Sequence, residues 1–196
     1  MFTRRPGSQR LLLPTLLLAM IGAVSASADG SDVVPTRDPA TGLMSWKYEG
    51  DGLGIELLQV PPDFIRASYS ARDLPAAVSE AVATRCVFGT IVRNISDRQL
   101  QYRVADWRYT AADGIEKPIK TKSEWLEEWH GMGVRFSWSI LADDSVFAVG
   151  DWIQGFTTMP EPHGSVVNLR VVWSIEGVRY EKWLPNLQCA PAPLPG

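Results

Sequence analysis

Hydrophobic residues recur with a helical period between positions 63 and 83, and with a period of two almost everywhere after residue 84. Ahead of both, "SWKYEGDGLGIELLQV" holds two β-prone runs around Gly50-Asp51-Gly52 and predicts a hairpin that Pro61-Pro62 ends. In the helical stretch, Phe64, Ser68 and Tyr69 share one face. Asp73-Leu74-Pro75 marks the start of a second short helix with an apolar stripe of Val78, Ala81 and Val82. "RCVFGTIVRN" is apolar on both faces and predicts a central strand covered on both sides, with Asn94 to Asp97 as its turn. Leu100, Tyr102 and Val104 alternate inward on the next strand. Trp107 and Tyr109 fall on the opposite parity, which predicts a bulge near Ala105-Asp106.

The second half of the chain continues the pattern. "TKSEWLEEWHG" predicts a short helix with a capping box from Thr121 to Glu124, Trp125, Leu126 and Trp129 on one face, and Gly131 as its left-handed end. "VRFSWSIL" predicts a strand with Val134, Phe136, Trp138 and Ile140 inward. Residues 150–164, rich in Gly and Pro, read as a long loop. "SVVNLRVVWS" and "VRYEKWL" close a hairpin about Ile175-Glu176-Gly177.

Seven or eight short strands at this spacing predict a mostly β fold, an antiparallel β-sandwich with a short αα insertion (63–83) and one short Trp-containing helix. The Arg93-Asn94-Ile95-Ser96 turn after a core strand and the late Gly150-Asp151 turn give residues 84–185 a loose similarity to immunoglobulin-like modules of exported bacterial proteins. That similarity implies an immunoglobulin-like sandwich and no particular function. The expected organisation is a single domain over 45–189, a flexible leader over 29–44 and a disordered tail over 190–196.

The first 28 residues change the picture from fold to address. Arg4, Arg5 and Arg10 form a positive region, Leu11 to Val24 an apolar one, and Ala26-Ser27-Ala28 a cleavage site, with the cut expected between Ala28 and Asp29. The apolar run is shorter than the ~20 residues a span needs. A periplasmic or secreted protein with no membrane span is expected. The paired arginines are shared with twin-arginine signals, but the Phe-Leu that normally follows is missing, so ordinary Sec-type export is the expectation.

Cleavage would remove three of the 19 basic residues and none of the 22 acids, giving a mature net charge of −6. Nucleic acid needs a clustered basic surface and is not an expected partner. Cys86 and Cys189 are the only cysteines, and in an oxidising compartment a disulfide between them is expected. The alternative is a buried free thiol at Cys86 with Cys189 exposed.

Candidate chemistry is sparse. There is no Gly-x-Ser-x-Gly elbow, no His-Glu-x-x-His zinc motif and no phosphate-cradling glycine loop ahead of a helix, so no covalent catalysis is expected. His130, Met132, Met159 and His163 combine imidazole and thioether, a set that suits copper if the 150–164 loop folds over the helix end. The His130-x-Met132 pair also resembles part of the motif of periplasmic copper chaperones, whose other Met and His positions do not match here. Eight tryptophans raise a carbohydrate-binding alternative, with Trp152 and Phe156 in the expected loop as the exposed aromatics. The main expectation is an exported accessory protein that recognises another exported protein through 150–164 and the helix end at 130–133.

Overall fold

A computed structural model of the chain describes residues 33–137 and 139–192. The expected signal segment, Trp138 and the last four residues of the expected tail lie outside the described residues.

The first sheet has the order β1 (Val34–Arg37), β2 (Met44–Gly50), β3 (Leu53–Gln59), β4 (Cys86–Asn94) and β9 (Trp152–Met159), all antiparallel. Asp51 and Gly52, both with positive φ, make the tight turn between β2 and β3. The second sheet is built on β10 (Val166–Ile175), which pairs along its length with β11 (Val178–Gln188). Its other edge takes β5 (Leu100–Arg103) and then β6 (Arg108–Thr110), flanked by β8 (Asp144–Phe147) and β7 (Lys117–Pro118). The fold is mostly β, with two antiparallel sheets and three α-helices among the described residues.

One apolar cluster draws on both sheets. Leu53, Ile55, Leu57, Phe88 and Val92 from the first meet Leu100, Tyr102, Leu169, Val171 and Trp173 from the second. The disulfide between Cys86 and Cys189 sits in this cluster, with both residues fully buried and their Cα atoms 5.1 Å apart. It joins β4 to the residue that follows the last strand.

A second cluster lies on the outer face of the first sheet. There α1 (Pro62–Ser70), α2 (Ala76–Ala83) and α3 (Lys122–Gly131) bring Ile65, Tyr69, Val78, Val82, Trp125 and Trp129 onto Val60 and Val87. This explains why β4 is apolar on both faces. It is covered by the other sheet on one side and by helices on the other.

Several sequence expectations are corrected. The leader is shorter than 29–44, because β1 forms within it and pairs with β2. Ala190, placed in the expected tail, is buried and accepts a hydrogen bond from the Gly164 N–H. The parity change after Val104 is a 3₁₀ turn, Val104–Asp106, and not a bulge. The helix runs through Gly131, with Met132 as its cap and Gly133 in the left-handed conformation. Among the described residues eleven strands form where seven or eight were expected.

The two largest corrections exchange a strand and a loop. Residues 134–137 and Ser139 carry no ladder, and among the described residues there only Ile140 forms a bridge, a parallel one to Phe156. The alternation there is real, since Phe136 and Ile140 are buried and Val134 half-buried. Those side chains pack on the helical layer instead of a neighbouring strand. Residues 152–159 of the expected loop are strand β9. Trp152, Gln154, Phe156 and Thr158 point outward, while Ile153, Thr157 and Met159 point to the inter-sheet core.

Helix α3 is capped twice. Thr121 and Glu124 form the capping box, and the Asp143 carboxylate accepts from the N–H groups of Lys122 and Ser123. Asp143 thus holds a helix N-terminus from 20 residues away. Asp143→Ala is expected to cost about 1–2 kcal/mol in urea denaturation. An unchanged midpoint and slope would show that this cap contributes nothing.

Candidate functional site

The outer face of the first sheet is only partly covered. Helices lie over Val60, Val87 and Thr158, where the Trp125 indole N–H donates to Thr158 Oγ1 at 2.9 Å. Beyond them Leu58, Gly89, Ile91, Gln154 and Phe156 form the floor of an open groove of about 620 Å³. Its walls are the outward face of α1, with Phe64, Ser68 and Tyr69, and the crossing segment at Phe136 and Ser139. Phe64 is 56% exposed and Leu58 37%, so large apolar surface faces the groove. The shared face of Phe64, Ser68 and Tyr69 is thus a groove wall, while Ile65 and Tyr69 supply the buried contact.

The crossing segment owes its path to two backbone features. At Ser139 to Leu141 the chain passes from the outer face to the inter-sheet core around the edge of β9. A Cβ on Gly155 would come within 2.4 Å of the Leu141 nitrogen, so only glycine fits there. Ser139 has φ 99°, a costly conformation for a side-chain-bearing residue. It is held by the Phe156 N–H donating to its carbonyl and by a 2.9 Å hydrogen bond between its hydroxyl and that of Tyr69.

Polar groups gather at this end of the groove. Burial pushes the Tyr69 phenol above its ordinary value, opposed by the Ser139 hydrogen bond and the nearby Arg72 charge, so it stays protonated. Arg72 caps the end of α1 by donating to the Ser68 carbonyl, and it is the only charged residue lining the groove among the described residues. Gln154 apart, the other lining polar side chains are already engaged. Thr90 bonds to Thr157 at 2.7 Å, and Gln59 is held by the Met44 N–H and the Gln188 carbonyl.

The structure distributes the sequence candidates. His130 is exposed in the last turn of α3, and Met132, expected to begin a strand, is the helix cap and 43% exposed. Met159 is fully buried opposite Cys86, on the inter-sheet face of β9, whereas Thr158 faces α3. His163 is half-buried in the 160–163 turn beside Arg66, Thr84 and Arg85. The sheet separates Met159 from the end of α3, so the four are not brought together. Among the described residues no three His, Cys, Asp or Glu side chains gather as metal ligands.

Trp152 is 59% exposed and Trp183 36%, on different sheets; Trp46, Trp107, Trp125, Trp129 and Trp173 are core. Phe156 is half-buried and forms part of the groove floor. Tyr69, Arg72, Gly89 and Ser139 were missed as site residues. The one sequence signal was the mixed Phe64/Ser68/Tyr69 helix face.

No helix among the described residues is long and apolar enough to cross a membrane. No family model, no curated protein and no solved structure matches this chain.

Proposed function

We propose that this chain is an exported β-sandwich binding protein that performs no covalent chemistry and takes its ligand in the groove on the outer face of the first sheet. The observation that carries the reading is a concave, largely apolar surface with a few polar groups converging at one end, the usual form of a small-molecule site. Export is supported by the disulfide, which persists in oxidising compartments. The sandwich is supported by the single apolar cluster drawn from both sheets. Recognition moves from the whole of 150–164 to its Gln154-to-Phe156 portion, and from the helix end at 130–133 to the α1 face.

Gly89 provides the test. A Cβ there would meet Val60 at 3.6 Å and Leu58 at 3.9 Å, ordinary contacts, and its φ is not in the left-handed range. Gly89→Leu therefore grows into the groove without straining the backbone. The neutral dye N-phenyl-1-naphthylamine is expected to brighten with the wild type and to lose most of that signal with Gly89→Leu at an equal melting temperature. Equal brightening by both proteins would remove the groove as the site.

A further inference from the structure

Resting on the groove as the binding site, we propose that its partner is an extended segment of another polypeptide, which joins the free edge of β9 as an added strand and lays alternate side chains at the groove. Strand β9 borders both the first sheet and the groove floor: it ends the sheet beside β4, and its residues Gln154, Gly155 and Phe156 line the groove. The Asn94 N–H donates to the Asp151 carbonyl, and from there the antiparallel register turns the backbone groups of Ile153, Gly155 and Thr157 toward β4. Those of Trp152, Gln154 and Phe156 therefore face the free edge. At Phe156 both are spent on the crossing segment, its N–H donating to the Ser139 carbonyl and its carbonyl accepting from the Leu141 N–H. Among the described residues nothing pairs the N–H and C=O groups of Trp152 and Gln154. Two donors and two acceptors thus stand in line with a bridge that the chain itself has begun at Ile140.

The other free edges are guarded against a stray strand. Strand β1 carries Pro35, β7 is two residues with Pro118, β8 is four residues beginning with Asp144, and β11 carries Glu181, Lys182 and Pro185. Proline, charge and short length are the usual protections of an edge. Strand β9 has none of them: its eight residues include no charge and no proline. The crossing segment covers it at Phe156 and leaves Trp152 to Gln154 open. Residues of an added strand directly opposite Trp152 and Gln154 put their side chains on the same outer face. There they meet the Trp152 ring, 59% exposed, and the Phe156 end of the groove. An extended segment with apolar residues at alternate positions fits both features, the ladder supplying affinity and the groove supplying specificity.

Fluorescence anisotropy of a fluorescein-labelled hexapeptide of alternating Val and Thr, titrated with the purified protein, tests the inference. The peptide is expected to bind with only one of its edges against β9. N-methylation of one alternate set of its amides should therefore weaken binding roughly tenfold or more, while N-methylation of the other set leaves it unchanged. Gln154→Pro should weaken the peptide more than Gln154→Ala does, because only proline removes an N–H from the free edge, one that the ladder to β4 does not use. The methylated peptides need no variant and decide the matter even if proline disturbs the fold. Equal effects of the two methylated sets, or no binding of the parent peptide, would overturn the added strand. The unliganded protein is expected to sediment as a monomer; a dimer that refuses the peptide would hand the edge to a second copy of this chain and overturn the inference likewise. Dye brightening without peptide binding would sink the added strand and leave the groove standing, whereas failure of both probes would remove the two together.

Discussion

Replacing both Cys86 and Cys189 by alanine is expected to lower stability by ~4–5 kcal/mol. The two residues are 103 apart in sequence. Cutting the bond frees a long loop in the unfolded ensemble, which is where most of that loss arises on the chain-entropy model. For a domain of this size the change corresponds to a melting temperature lower by ~10–15 °C. Because both sulfurs are buried, reductant should act only when the protein opens, so reduction should be slow in buffer and fast in mild urea. Equal melting curves for the wild type and the double variant would mean that the bond adds nothing.

Trp129→Ala should cost ~3–5 kcal/mol, because its ring is fully buried between Tyr69, Phe136 and Trp125, at centroid distances of 6.2, 5.7 and 5.6 Å. Its indole N–H, however, is buried with no hydrogen-bond partner. Trp129→Phe removes that orphaned donor while keeping most of the ring, and should cost less than ~1 kcal/mol. Trp125 is the useful contrast. Its N–H is bonded to Thr158, and its ring lies against Lys120 at 3.8 Å and Arg85 at 4.9 Å. Trp125→Phe should therefore cost ~1–2 kcal/mol more than Trp129→Phe. The reverse order in urea denaturation would show that the partners of Trp125 contribute little.

The sequence signals that proved reliable were those with a local cause. Gly52 and Gly177 announce tight hairpins because their positive φ suits that residue type. The Thr121–Glu124 spacing announces a capping box whose two bonds form within one turn. What alternation could not reveal is which surface an alternating segment meets. Val134, Phe136 and Ile140 have the spacing of a strand, but their partners are the rings of Trp129 and Tyr69, so the alternation serves packing without a ladder. Residues 152–159 misled in the opposite direction. Gly155 and the prolines that follow suggest a loop, while the inward side includes Thr157, whose polarity is hidden in a bond with Thr90.

The groove was harder still to read, because it belongs to no single element. Its floor joins β3, β4 and β9, and its polar end joins Arg72 to Ser139 across 67 residues of sequence. Only the helix face of Phe64, Ser68 and Tyr69 hinted at it, through a polar residue set among aromatics. The His and Met residues that stood out by rarity instead lie on both sides of a sheet. Rarity marks a residue; it does not bring residues into contact.

Recognition in the groove is tested most directly by amide chemical shifts of the ¹⁵N-labelled protein as N-phenyl-1-naphthylamine is added. Groove binding predicts shifts concentrated at Tyr69, Arg72, Gly89, Ile91, Gln154 and Phe156, with His130 to Gly133 unmoved. Shifts centred on the end of α3, or a spectrum that does not change at any residue, would contradict it.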